Sequence, residues 1–296
     1  MGPQAAAVGQ WTERRRRATE LAERWPFATE VLTFYTALLD AQERAYETAR
    51  AELSDPSRTV PYAVARVLPM VRAVTTATGP QKLARAVADL PPAGGNGSTA
   101  QWEEKVKRWL DGGELSAVDR YMARAAVGPV LEALGQAFGR VWDGPRDARH
   151  CPHCGGLPQV SVLASTGEDL VAPRRYLECS RCARRWAYPR MTCAGCGETE
   201  AHHLPIFAEE GTTEAEATGT VVRGLGAAPA GTPAAGARFR HVSIYACRSC
   251  SRYLLNVDLS RDARAVPVVD EMAAVPLDLY AREQGVMKIV PNLMGL

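Results

Sequence analysis

The chain has 296 residues, which at roughly 150 residues per domain suggests about two domains. Apolar residues make up 46% and charged residues 23%, enough core material to exclude a wholly disordered chain. Lys+Arg 35 against Asp+Glu 33 leaves +2, too even a balance to point to nucleic acid, a membrane surface or an acidic partner. No apolar run approaches the ~18 residues of a spanning helix, so a soluble chain without direct membrane insertion is expected.

Arg14, Arg15, Arg16 and Arg17 form a run that superficially resembles a twin-arginine signal. A signal needs an apolar stretch next. The run leads instead into Ala18-Thr19-Glu20-Leu21-Ala22-Glu23-Arg24, which predicts a solvated helix face and a cytoplasmic protein. Residues 11–149 then read as helices. Phe27, Val31, Tyr35, Leu38, Gln42 and Tyr46 keep a helical step, widened by Leu32 and Leu39. Pro26 suits a first turn, and Ser54-Asp55-Pro56-Ser57 ends the segment. Val60, Val64, Val67, Leu68, Val71 and Val74 mark a second helix, with a kink expected at Pro69. A short third carries Leu83, Val87 and Leu90. A loop with Gly94, Gly95 and Gly97 comes next. Trp102, Val106, Trp109 and Leu110 mark the next helix. Ser116 with Asp119 resembles a capping box that opens a last helix through Tyr121, Met122, Leu131, Leu134, Phe138 and Trp142. These stripes read as core, and residues 1–149 as an all-α domain with no catalytic constellation.

All eight cysteines lie beyond residue 150, in four C-x-x-C pairs: Cys151/Cys154, Cys179/Cys182, Cys193/Cys196 and Cys247/Cys250. Disulfides do not suit a chain expected in a reducing compartment. Thioredoxin-like chemistry needs one C-x-x-C beside a βαβ unit, and neither condition holds. Metal binding fits, since a tetrahedral site of four sulfurs takes two such knuckles and eight thiolates make two sites. Gly155 and Gly197 come directly after the first and third knuckles. Tyr176 and Trp186 flank the second, and Tyr245 and Tyr253 the fourth. That alternation reads as a duplicated unit. It pairs Cys151/Cys154 with Cys179/Cys182 and Cys193/Cys196 with Cys247/Cys250, with an interleaved pairing as the alternative.

Gln159–Leu163, Tyr176–Cys179, His241–Tyr245 and Tyr253–Val257 alternate as short strands. The expectation is two rubredoxin-like or zinc-ribbon β-modules, at residues 150–192 and 193–262. Each is too small to hold together without its ion. The cofactors expected are therefore two tetrahedral metal ions, zinc or iron, each held by four cysteines. Arg174, Arg175, Arg181, Arg184 and Arg185 could offset the thiolate charge or simply serve solubility. His150, His153, His202 and His203 are read as surface residues or neighbours of the ligands, because cysteine already completes both sets. Residues 208–238, rich in Ala, Gly, Thr and Pro, read as a flexible insertion in the second module. Residues 263–296 return to helical spacing through Met272, Val275, Leu277 and Tyr280, then end in an apolar tail that must pack on the body or serve a partner.

The order of these elements, with the stretches CPHCGGLPQVSVL, RYLECSRCARRWAYPRMTCAGCG and IYACRSCSRYLLNVDL and the ending PNLMGL, resembles the FdhE family of formate dehydrogenase accessory proteins. The resemblance covers residues 151–296 well and the helical half mainly through Tyr121 to Phe138. It implies a cytoplasmic maturation factor, not itself an enzyme. Such a factor would bind the catalytic subunit of formate dehydrogenase before export and hold two rubredoxin-like sites on the eight cysteines. The insertion at 208–238 departs from the shorter family pattern. Two other classes compete: a zinc-ribbon nucleic-acid binder, disfavoured by the even charge balance, and a rubredoxin-like iron redox protein.

Overall fold

In the computed structural model of the chain, residues 3–92, 94, 97–137, 147–164, 173–209, 221–222 and 238–295 are described. Helix α1 (Pro3–Arg24) turns through a 3-10 segment, Pro26–Ala28, into α2 (Thr29–Glu52). Pro26 opens that turn, where its missing N–H costs nothing. The buried face of α2 carries Leu32, Tyr35, Leu38, Leu39, Gln42 and Tyr46. Phe27 falls outside it and is 48% exposed, because the helix begins only at Thr29.

The segment expected to kink at Pro69 runs as α3 (Thr59–Tyr62), a π turn (Ala63–Val67) and α4 (Leu68–Thr78). Proline has no N–H for the carbonyl one turn back, and the wider turn just ahead of it takes up the irregularity. Helices α5 (Gln81–Ala88), α6 (Ser98–Leu110) and α7 (Ala117–Ala137) complete the bundle. Ser116 Oγ accepts from Asp119 N at 3.1 Å, so the expected cap forms. The Asp119 carboxylate does not reciprocate and instead takes Lys105 Nζ at 2.7 Å. Phe138 and Trp142 lie outside the described residues, as does most of the 208–238 insertion.

The strands are β1 (Pro158–Ala164), β2 (Arg174–Cys179), β3 (Arg185–Ala187), β4 (Ile206–Glu209), β5 (Val221–Val222), β6 (Val242–Cys247), β7 (Arg252–Asp258) and β8 (Met287–Lys288). They form one sheet in the order β3-β2-β1-β7-β6-β4-β5, with β8 also paired to β7. The hairpin β1–β2 comes from the first metal module and β6–β7 from the second. The parallel pairing of Ser161, Val162 and Leu163 with Asn256, Val257 and Asp258 fuses them. Two modules thus share a single sheet.

Helices α8 (Pro267–Ala273) and α9 (Val275–Glu283) come after β7, and α8 lies against β1, β7 and α1. Strand β1 is therefore covered on both faces. Its alternating polar residues are buried rather than solvated. Gln159 Nε2 donates to Glu271 Oε1 at 3.0 Å, and Ser161 Oγ accepts from Arg175 Nε at 2.8 Å. The bundle and sheet share one apolar core, where Trp25 meets Phe239 with ring centroids 4.6 Å apart. The C-terminal tail packs on this body: Lys288, Ile289 and Asn292 are buried, and Arg124 Nη1 donates to Pro291 O at 2.7 Å.

The expectation of a solvated face for the arginine run fails at two of its four positions. Arg14 and Arg17 are buried, because α1 is clasped between α2 and α8. Arg14 Nη2 lies 3.0 Å from Glu132 Oε1. Arg17 Nε donates to Asp270 Oδ2 at 2.9 Å and its Nη2 to Asp262 at 2.8 Å.

Candidate metal centres

Each cysteine pair sits on a tight backbone knuckle whose geometry follows from local hydrogen bonds. In the first, Cys151 N donates to Gly156 O at 2.8 Å and Gly155 N to Cys151 O at 3.0 Å. The third repeats this, with Cys193 N on Glu198 O at 2.8 Å and Gly197 N on Cys193 O at 2.9 Å. The second does the same through Arg184 O and Ala183 N. Closing so short a turn demands a left-handed residue after the second cysteine. Gly155 and Gly197 supply it at φ +69° and +87°, and Ala183 and Ser251 adopt it at +52°. The glycine and aromatic types seen in the sequence therefore share one backbone.

The knuckles gather the sulfurs in two sets of four, Cys151, Cys154, Cys179 and Cys182, then Cys193, Cys196, Cys247 and Cys250. Within the first set, Cys154 Sγ lies 3.4 Å from both Cys179 Sγ and Cys182 Sγ, and Cys151 Sγ lies 3.7 Å from Cys182 Sγ. In the second, Cys193 to Cys250 is 3.8 Å and Cys196 to Cys247 is 3.7 Å. Four sulfurs around an ion at about 2.3 Å stand about 3.8 Å apart at tetrahedral angles. The donor sets thus fit a zinc- or iron-sized ion. Neither set leaves a position for water once four sulfurs are bound.

Backbone amides soften the charge such a set would carry. Gly195 N donates to Cys193 Sγ at 3.2 Å and Arg181 N to Cys179 Sγ at 3.4 Å. Without a cation the crowded sulfurs share protons unequally. Burial pushes the Cys179 thiol well up, while hydrogen bonding from Cys154 and its other neighbours holds Cys151 down. Metal displaces those protons, since only thiolates ligate.

The arginines near the second knuckle act mostly through carbonyls. Arg181 donates to Cys154 O and Trp109 O, both at 3.4 Å, and Arg184 to Gly135 O at 2.5 Å. Arg185 pairs with Glu178 at 2.7 Å. Arg175 lies between the rings of Tyr188 and Tyr245, 5.3 Å from each centroid. It donates to the carbonyls of Pro189, Arg190 and Thr192, which lead into the third knuckle. One side chain on β2 thus positions the loop that enters the other module. Each described cluster is all cysteine. His150 Nδ1 meets Asp147 at 2.8 Å, His203 Nδ1 meets Glu198 at 3.2 Å, and His153 is buried beside Gly135.

Sequence reasoning missed a buried polar chain beside the first cluster. Arg124 Nη2 bonds Gln159 Oε1, Gln159 bonds Glu271, and Lys288 Nζ joins Glu271 to Asp278, where Tyr253 Oη also donates at 2.8 Å. Burial lowers the Arg124 pKa and raises that of Glu271. The available signal was Lys288, a lone charge in the apolar run Met287-Lys288-Ile289-Val290.

Comparison with known proteins places these residues in context. Residues 150–190 match the family described as FdhE, central domain, and residues 232–294 that described as FdhE, C-terminal domain. A protein named FdhE homolog from Aquifex aeolicus is 32% identical over 146 residues, which is 49% of this chain and 41% of the relative. One from Pseudomonas aeruginosa is 31% identical over 144 residues, 49% of this chain and 38% of the relative. These alignments thus span about two-fifths of the relatives' own length. A third, from Edwardsiella ictaluri, is 26% identical across 93% of this chain and 84% of its own. The crystal structure of the FdhE protein from Pseudomonas aeruginosa superposes with TM-score 0.64 at 20% identity, covering 96% of this chain and 94% of that one. It shows the same fold.

Proposed function

The chain belongs to the FdhE family, and from that premise we propose that it is an accessory protein of formate dehydrogenase. It binds the catalytic subunit in the cytoplasm before export and assists its activation, and is not itself the formate-oxidising enzyme. We also propose that each four-cysteine cluster holds one ion, zinc or iron, that ties its module together. The observation that carries the reading is where the family matches fall. The stretches 150–190 and 232–294 contain six of the eight cysteines and most of the sheet that joins the two clusters. No described helix is long and apolar enough to cross a membrane.

The test is co-production of the tagged chain with a formate dehydrogenase catalytic subunit under reducing, low-oxygen conditions. Stoichiometric retention of the subunit, and a rise in its activity, are expected. A subunit that is neither retained nor better activated overturns the proposal. Elemental analysis of the same sample should give two ions per chain, and visible absorption that bleaches on reduction would identify iron.

A further inference from the structure

Beside the second cluster, the loop entering the third knuckle meets β6, β7 and the chain after β8 around an open pocket of about 30 Å³. One water takes roughly 10–15 Å³ of such space, so the pocket has room for the tip of one side chain. Leu204, Ile206, Leu254 and Ile289 make much of its lining apolar. Met191 also lines it and is 52% exposed, and Met287, paired in the sheet with Arg252 of the same lining, is 68% exposed. Among the described residues, four large apolar side chains stand exposed, and two of them thus lie at this one place. Single exposed apolar residues are ordinary, whereas a pair beside an apolar notch marks a contact surface.

The charge around the pocket is one-sided. Arg175, Arg190 and Arg252 line it, and among the described residues no carboxylate does. Cys193 of the second cluster supplies negative charge on that wall and acts on the buried Arg175, which Arg190 is close enough to repel. Arg190 and Arg252 are exposed, and each gives its described hydrogen bond to a main-chain carbonyl, Pro173 O at 3.1 Å and Ile289 O at 3.5 Å. Neither has a carboxylate partner among the described residues. Exposed guanidiniums are solvated and need no partner to be stable. Their effect is on selection: they favour a segment that brings carboxylates and repel one that brings cations.

We propose that this pocket docks a segment of a partner protein in which one apolar side chain is flanked by acidic residues. The apolar side chain fills the notch against Leu254, Ile289 and Met191, and the carboxylates meet Arg190 and Arg252. Methionine suits such a rim because its flexible side chain adapts to the group it covers. The proposal stands whether or not the partner is formate dehydrogenase. Because Cys193 and Ala194 of the third knuckle belong to the same wall, a docked segment lies against the second cluster.

The full-length, metal-loaded protein carrying carbon-13 methionine methyl groups tests this by nuclear magnetic resonance, with Met191 assigned through Met191→Leu. Three synthetic peptides are titrated in: a leucine between two runs of glutamate, the same peptide with serine for leucine, and the same with lysine for glutamate. The glutamate–leucine peptide should shift the Met191 and Met287 methyl signals saturably and leave the buried Met122 and Met272 unmoved. The serine peptide should bind several-fold more weakly, and the lysine peptide should give no shift. Reversing both charges, with Arg190→Glu and Arg252→Glu together, should weaken the glutamate–leucine peptide about tenfold or more and confer binding of the lysine peptide, a gain that a misfolded variant would not show. Absence of a Met191 shift overturns the proposal, as do equal shifts with the glutamate and lysine peptides or wild-type binding in the charge-reversed variant. A Met191 shift that follows protein concentration without peptide would give the pocket to a second copy of the chain and also overturn it.

Discussion

Gly156 shows how closely the knuckles are drawn. A Cβ there would stand 2.8 Å from Cys179 Sγ, closer than real Cβ atoms come, whereas one at Gly195 would meet Cys250 Sγ at an ordinary 3.4 Å. With one ion per cluster, Gly156→Ala should lower metal content from two ions per chain towards one, and Gly195→Ala should keep both. Elemental analysis of the two variants reads this directly. Glu198 bridges the third and fourth knuckles. Its carboxylate accepts from Ser249 Oγ at 2.6 Å, Glu200 N at 2.9 Å, Thr199 N at 2.8 Å and His203 Nδ1 at 3.2 Å. These bonds, that from Ser249 first, lower its pKa from 4.5 to about 2. A depressed carboxylate adds stability that is full above its unfolded value and lost as pH falls through its folded one. The gap in melting temperature between wild type and Glu198→Gln should therefore be widest above pH 5 and close towards pH 2. A gap independent of pH would contradict the assignment.

At the scale of elements, the decisive contacts are ion pairs that fasten helices from opposite ends of the chain. Arg17 on α1 and Asp270 on α8 are both buried, and Asp270 also takes His241 Nε2 at 2.7 Å and Val266 N at 2.7 Å. Removing one member of a buried pair leaves a charge uncompensated. Arg17→Met should therefore destabilise the protein by about 3–5 kcal/mol in urea unfolding. Adding Asp270→Leu should recover much of the loss, since an apolar pair of similar volume carries no desolvation cost. A double variant no better than the single one would show that Asp270 works mainly through His241 and Val266. Arg175 plays the corresponding part within the sheet, where its Nη1 reaches the carbonyls of Pro189, Arg190 and Thr192 while its Nε donates to Ser161 Oγ, two separated directions that a single ammonium could not serve at once.

Across the whole molecule the two clusters differ in shelter. The sulfur residues of the first are at most 4% exposed, lying beneath α7. In the second, Cys196 is exposed and Cys250 half-buried. Sharing a sheet has not equalised them, because the helical bundle covers only one. A chromogenic chelator should then remove metal in two phases, one ion per chain quickly and the other orders of magnitude more slowly. The fast phase should vanish in Cys196→Ser. A single phase for both ions would mean that the clusters open together.

Much of this was legible from the residues. The duplicated C-x-x-C knuckles, the turn glycines, the helical periodicity before residue 150 and the strands around each knuckle are local features. They arise from hydrogen bonds and side-chain spacing within about ten residues. The sequence alone therefore determined most of the helices before residue 150, the four main strands and which cysteines share a knuckle, but read Pro267–Ala273 and Val275–Glu283 as one helix and missed the short strands at Arg185–Ala187, Ile206–Glu209, Val221–Val222 and Met287–Lys288. It could not show that β1 would lie beside β7, that Arg14 and Arg17 would be buried, or that Arg190, Leu254 and Ile289 would line one pocket. Those outcomes join segments separated by tens to hundreds of residues. A charged side chain looks the same on paper whether water or a distant carboxylate will meet it, and only the packing of helices against a shared sheet decides between the two.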